Sequence, residues 1–191
     1  MKYGNNTIEE VIATTDRILE KINYIDGTFN EDAFNEDVNK LTWVWVSERP
    51  TTLYDVLSAS GDFSLISSLV LRKKLADLKR NQESLIKFEE IQNRFVDDKL
   101  RLFLNQNIDR TRVRFELKSA ERIVVRHTSV FPPNTNEILQ NREFANILTD
   151  LIFFTKKIIG NYERIDDDIA QLDSLVLSKY ANLVLKKYIP Y

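Results

Sequence analysis

The 191-residue sequence has no cysteine, one histidine, one methionine, four glycines and four prolines. Without thiols there are no disulfides, thiolate metal sites or cysteine nucleophiles, although this does not choose a compartment. The lone histidine, His127, excludes a two-histidine zinc site and an HExxH pair. Nothing beside it in the chain makes it a general base, so it reads as a solvated or hydrogen-bonded histidine. Gly4, Gly27, Gly61 and Gly160 stand singly, and neither a phosphate-cradling loop nor a dinucleotide fingerprint can be assembled from them. No apolar run approaches the roughly 18 residues of a membrane span, and the N-terminus lacks the basic, apolar, small-residue order of a leader. As given, the chain is expected to be soluble. A net charge of −2 gives the whole molecule no electrostatic footprint for nucleic acid or an anionic membrane. These absences leave no readable catalytic residue, metal ligand set or cofactor site, so the expectation is a non-enzymatic protein that binds no small molecule.

What is present points to helices. Apolar content of 43% and charged content of 29% are those of an ordinary globular protein. Scarce Gly and Pro mean little punctuation, hence few and long elements. The predicted fold is mainly α: a single helical domain over residues 1–191, built as an elongated bundle with long coiled-coil-like helices. A small irregular or β-hairpin insert is expected at 108–133.

The longest signal runs from Phe144 to Val176. Phe144, Leu148, Leu151, Thr155, Ile158, Tyr162, Ile165, Ile169, Leu172 and Val176 follow at gaps of four and three without a slip, a heptad seam with one polar member. At 1.5 Å per residue this helix would be about 50 Å long. Its first half has apolar flanks at Ile147, Ile152, Phe154 and Ile159, as in a helix buried in a bundle. Past Gly160 the flanks turn polar at Asn161, Asp166, Asp168 and Asp173, leaving a narrow seam for one partner helix. Thr7-Ile8-Glu9-Glu10 has the form of a capping box and predicts a first helix starting there, with Gly27 at its end. Ile8, Val11, Thr15, Ile18, Ile22 and Ile25 give it the same spacing. The predicted helix-pairing seam therefore joins Ile18, Ile22 and Ile25 to Ile165, Ile169, Leu172 and Val176.

Between these ends, Asn30 looks like an N-cap for a second helix with Phe34, Val38, Leu41 and Trp45 inward. Trp43 and Trp45 read as space-filling aromatics, with an aromatic ligand box beside Tyr54 as the alternative. A short amphipathic element, Leu53 to Leu57, precedes Ser60-Gly61, where Gly61 suits a positive φ. Phe63 and Ile66 would plug that turn, and Ser67 or Ser68 would cap a long helix from Leu69 to about Leu104. Its inward residues are expected to be Leu71, Leu75, Leu78, Leu85, Phe88, Ile91, Phe95 and Leu102, interrupted at Gln82 and Asp98. Asn136 or Asn141 would open the Phe144 helix after Pro132-Pro133.

Two charged clusters qualify as candidate sites. Asp166, Asp167 and Asp168 are consecutive, and on a helix they point about 100° apart, so they cannot converge on one cation. Arg110, Arg112, Arg114, Lys118, Arg122 and Arg126 crowd together in the insert. There Val113, Phe115 and Leu117 alternate with charged residues, the period of a half-buried strand, and Ile123-Val124-Val125 could return as its partner. A short helix over Leu117 to Val125 also fits. In the hairpin, Arg112, Arg114 and Lys118 would share one face, open to nucleic-acid phosphates, lipid headgroups or an acidic protein. It lacks the exposed aromatics on which single-strand binders stack bases. A solvated or internally paired surface is the competing reading.

The run Thr52-Leu53-Tyr54-Asp55-Val56-Leu57-Ser58-Ala59-Ser60-Gly61-Asp62-Phe63-Ser64-Leu65-Ile66, followed by Leu71-Arg72 and Leu75, resembles the pattern of an uncharacterised bacterial family, a domain of unknown function. Asn141 to Leu148 resembles that family's later helix start, and the likeness covers roughly Leu41 to Val176. It implies the helical soluble region of a protein held by an N-terminal membrane span that this chain lacks. It also implies the extracytoplasmic face of a bacterial membrane; without the resemblance the reading is cytoplasmic. No catalytic residue comes with it.

The sequence thus leads to an interaction or scaffold module working by helix packing against a protein partner or a second copy. The alternatives are a ligand-sensing bundle near Trp43, Trp45 and Tyr54, and a nucleic-acid or anionic-surface binder using the Arg110–Arg126 segment.

Overall fold

The computed structural model describes residues 2–23, 30–44, 52–110, 114–118, 121–125, 130–132 and 134–188, with side chains for 8–22, 30, 32–44, 54–110, 130–132 and 134–178. The protein is mainly α, as expected. Its elements in order are α1 (Lys2–Asn23), α2 (Glu31–Leu41), α3 (Thr52–Ala59), a 3₁₀ turn (Asp62–Leu65), α4 (Leu69–Phe95), a π-helical segment (Val96–Arg101), α5 (Leu102–Asn107), β1 (Arg114–Lys118), β2 (Glu121–Val125), α6 (Thr135–Leu139) and α7 (Arg142–Tyr188). They fall into two compact units. Unit 1 takes residues 1–45 and 89–157, and unit 2 takes 46–88 and 158–191.

Helix boundaries follow local chemistry. Asn30 caps α2 by accepting from the Ala33 amide at 3.1 Å, and Asn141 caps α7 by accepting from Glu143 and Phe144. The Ser68 hydroxyl accepts from the Leu71 amide at the start of α4. Gly61 has φ of 78°, the left-handed conformation that only glycine adopts freely, and it opens the 3₁₀ turn. Three boundaries differ from the sequence reading. Helix α1 begins at Lys2, ahead of the capping box at Thr7, since residues 2–6 hold no proline to stop it. Helix α2 stops at Leu41, with the Thr42 amide and hydroxyl both turned back to the Asn39 carbonyl. Trp43 and Val44 are therefore not helical, and Trp45 and Gly27 lie outside the described residues. Helix α7 continues to Tyr188, just short of Pro190.

In unit 1 the core gathers Val11 and Ile18 of α1, Phe34, Val38 and Leu41 of α2, Val96 and Leu100 of the π segment, and Phe144, Ile147, Leu148 and Leu151 of α7. Phe144 lies at its centre. Its ring stacks on Phe103 with centroids 5.3 Å apart and meets Phe34 edge-on at 6.4 Å. Polar ties on the rim hold α1 to α2: Arg17 reaches Asp37 at 2.8 Å, and Lys40 reaches Glu10 at 2.9 Å. The insert is a two-stranded antiparallel hairpin, and β1 lies against α2. This selects the strand reading over the helical one for 114–118 and 121–125.

The buried face of the long helix differs from the predicted one. The buried line runs Glu89, Gln92, Val96, Leu100 and Phe103 at gaps of three and four, and the predicted line leaves it at Phe88 and Ile91, ahead of the π segment. Val96, Leu100, Phe103 and Leu104 are buried, whereas Leu102, expected inward, is 53% exposed, and Ile91 is also exposed. Asp98, which interrupts the seam in the sequence, is exposed. Arg101 closes the segment by donating at 2.8 Å to the Thr42 carbonyl at the end of α2, satisfying a helix-terminal acceptor.

Unit 2 is built around parts of α4 and α7 with α3 alongside. Lys79 of α4 reaches Asp55 of α3 at 3.0 Å and lies over the Tyr54 ring, which meets Phe63 edge-on. Leu71, Leu85, Ile158, Ile165 and Leu172 are its buried apolar residues among those described.

Candidate functional site

The basic residues of the insert are described only in part. Arg110 is half-buried and donates to Asn105 at 3.1 Å and to Asn39 of α2 at 3.3 Å, so it is built into the fold. Arg112, Arg126 and His127 lie outside the described residues. The hairpin register pairs Arg114 with Val125, Glu116 with Ile123, Lys118 with Glu121, and Leu117 with Arg122. Residues directly opposite in an antiparallel pair share a face. Arg114 and Lys118 are therefore on one face together with Glu116 and Glu121, while Arg122 belongs to the other with Phe115 and Leu117. The register thus keeps Arg114 and Lys118 on one face, as expected, and sets Glu116 and Glu121 beside them.

The seam residues are divided between the units. Ile18 is fully buried in the unit 1 core and Ile22 packs against it, whereas Ile25 lies outside the described residues. Ile165, Ile169, Leu172 and Val176 belong to unit 2, where Ile165 and Leu172 are buried, Ile169 is half-buried and Val176 is exposed. The helix bonded to this stretch is α4, where the sequence had pointed to α1. Asn81 donates to Asp168 at 2.6 Å, and Lys74 stands 3.9 Å from the same carboxylate. The pattern of α1 could not reveal this, because one three–four spacing fits any other equally well.

The three consecutive aspartates diverge as helical geometry requires. Asp168 is buried against α4, while Asp166 and Asp167 are exposed. Among the described residues, no group of three or more His, Cys, Asp or Glu side chains is placed to hold a metal ion. The residues of the aromatic box also part: Trp43 packs against the unit 1 core, Tyr54 belongs to unit 2, and Trp45 lies outside the described residues.

One polar pair interrupts the interior of unit 1. Thr155, the polar member of the seam, donates to the Leu151 carbonyl at 2.7 Å and accepts from the Gln92 amide at 3.2 Å. Both residues are fully buried, and the Gln92 Oε1 has no hydrogen-bond partner.

The feature that sequence reading missed is an exposed apolar corner of unit 2. Val56 on α3, Leu65 in the 3₁₀ turn, and Leu69 and Val70 at the start of α4 are all open to solvent, Leu65 by 77% and Leu69 by 73%. Phe63 and Ile66 are half-buried beside them. Leucines at such spacings look like core in a sequence. Only the three-dimensional path shows that the 3₁₀ turn faces them outward. Among the described residues, no helix is long and apolar enough to cross a membrane. No family model, curated protein or solved structure matches the chain.

Proposed function

We propose that the protein is a non-enzymatic interaction module whose docking surface is the apolar corner of unit 2. The observation that carries this reading is the grouping of Val56, Leu65, Leu69 and Val70, all exposed, within one helix–turn–helix segment. Single apolar residues are normal on a protein surface, but four exposed large ones within residues 56–70 of one unit support a place where another surface is buried.

The test compares the protein with its Val56→Ser/Leu65→Ser/Leu69→Lys/Val70→Ser variant, by light-scattering mass and by fluorescence of a dye that brightens on apolar surface. The native protein should be associated or dye-bright. The variant should be monomeric, dye-dark and equally helical by circular dichroism. A native protein that is both monomeric and dye-dark overturns the reading.

A further inference from the structure

Two cations beside the apolar corner of unit 2 are left over by the chain's own pairing. Leu69 and Val70, both open to solvent, begin α4, and Arg72 and Lys73 follow them. Residues three and four apart share a helix face, so Leu69 meets Arg72 and Lys73, and Val70 meets Lys73. The other charges of the segment are engaged. Asp55 takes Lys79 at 3.0 Å, and Asp62 accepts from the Ser60 hydroxyl at 2.8 Å. Lys74 stands 3.9 Å from Asp168, and Asp77, one turn on from Lys73, takes Arg80 at 2.8 Å. Arg72 and Lys73 have no ion-pair partner among the described residues. Arg72 is half-buried, and its Nε is buried without a hydrogen-bond partner. A guanidinium shielded from water in this way, with nothing in return, is unfavourable. Both cations also lie near the positive end of the α4 dipole, and no acid in its first turn offsets them. The corner thus joins exposed apolar side chains to positive charge that the fold leaves uncompensated.

Resting on the interaction-module reading, we infer that the partner is an acidic, apolar peptide segment of another protein, whose apolar side chains cover Leu65, Leu69 and Val70 and whose carboxylate is received by Arg72. A guanidinium meets a carboxylate with two parallel N–H···O bonds, so Arg72 fixes the register of the segment, while Lys73 adds attraction as a point charge. The carboxylate supplies the partner that Arg72 lacks in the free chain. An anionic membrane would meet the same apolar residues and cations. Asp62, however, lies in the same 3₁₀ turn as Leu65 and is exposed, so its carboxylate would be carried against headgroups of its own sign. A peptide can place a neutral or donor group opposite Asp62, which a uniformly charged surface cannot. The charges of the corner therefore favour the peptide.

The experiment offers the full chain three synthetic amphipathic peptides, about five helical turns long, with leucine along one face and glutamate, glutamine or lysine beside it. Binding is read by fluorescence anisotropy of the labelled peptide. The glutamate peptide should bind about tenfold tighter than the glutamine peptide, and the lysine peptide weakest. Raising salt from about 0.05 M to about 0.5 M should bring the glutamate peptide towards the glutamine one. Arg72→Gln should remove the preference for glutamate, leave the glutamine peptide within about twofold, and keep the native helicity by circular dichroism. Lys73→Gln, at an exposed position, should act in the same direction by a smaller factor. Equal binding of the three peptides, or an Arg72→Gln variant that loses the glutamate and glutamine peptides alike, would overturn the inference. So would tighter binding to vesicles of phosphatidylserine and phosphatidylcholine than to the glutamate peptide, which would assign the corner to a membrane. A mass of twice 22.4 kDa that Leu69→Lys abolishes would assign it to a second copy instead. A dye-bright chain that binds none of the peptides would remove the acidic partner and leave the interaction-module reading standing. A chain both monomeric and dye-dark would remove both.

Discussion

Thr155→Val is expected to destabilise the protein, whereas replacement of its partner, Gln92→Leu, is not. The reason is an asymmetry in the buried pair. The Thr155 hydroxyl has two bonds, giving its proton to the Leu151 carbonyl and accepting from Gln92. Gln92 has only the second, and its Oε1 is buried without a partner. Valine matches threonine in shape, so Thr155→Val creates almost no cavity but leaves the Gln92 amide with no acceptor in a site closed to water. A buried group stripped of its hydrogen bond costs about 1–3 kcal/mol. Gln92→Leu instead removes the unsatisfied oxygen and leaves the Thr155 hydroxyl bonded to Leu151, so it should be neutral or stabilise by up to about 1 kcal/mol. In the double variant the penalty of Thr155→Val should vanish, giving a coupling of about 1–3 kcal/mol. Trp43 packs against the unit 1 core, so urea titration followed by tryptophan fluorescence reads the unit that holds the pair. At the usual 2–4 °C per kcal/mol for a chain of this size, the melting midpoint of Thr155→Val should fall by about 2–12 °C. Equal stability of Thr155→Val and the native protein, or a loss above about 1 kcal/mol in Gln92→Leu, would refute the asymmetry.

The π segment gives a second test by paired truncation. Leu100→Ala should cost about 2–5 kcal/mol because Leu100 is fully buried, while Leu102→Ala should stay within about 0.5 kcal/mol; equal losses by urea denaturation would contradict this assignment of the buried face. A third concerns Gly160, which is helical with no atom within 4 Å of the position a Cβ would take. Gly160→Ala should therefore raise stability by about 0.5–1 kcal/mol, measured by thermal or urea unfolding, and a loss would show that the position is closed.

How much was legible depended on whether a feature was local. The cap at Asn30 and the glycine turn at Gly61 could be read directly, and those at Ser68 and Asn141 as one of two neighbouring choices each, because each is decided by two or three nearby residues. The hairpin was legible from its period of two, which set Arg114 and Lys118 on one face, while the place of Arg122 and Glu121 came only with the register of the opposite strand. Helix existence was legible, but helix partnership was not: Ile18 and Ile165 carry the same spacing, and what tells their neighbours apart is one amide on α4, Asn81, reaching Asp168. The burial of Leu100 and exposure of Leu102 were hidden for another reason. The apolar series Leu85, Phe88 and Ile91 drew the predicted line aside, while the buried line passes through the polar Glu89 and Gln92, which a search for apolar residues passes over. The exposed corner at Leu65 and Leu69 was missed because hydrophobicity predicts burial only on average.

The π segment has a further meaning when the chain is measured by its length instead of its packing. Between Val96 and Arg101 the helix accommodates a residue that its path does not require. Deleting solvent-facing Asp98 would leave an ordinary α-helical turn, with Gln92 and Val96 before it and Phe103 and Leu104 after it still directed as they are now. The same deletion one turn earlier or later would rotate every following side chain by about 100° and carry the Phe103 ring away from Phe144. The sequence is thus elastic in length at this one turn, and a gain or loss of a residue there is the change in the long helix that its neighbours would scarcely register.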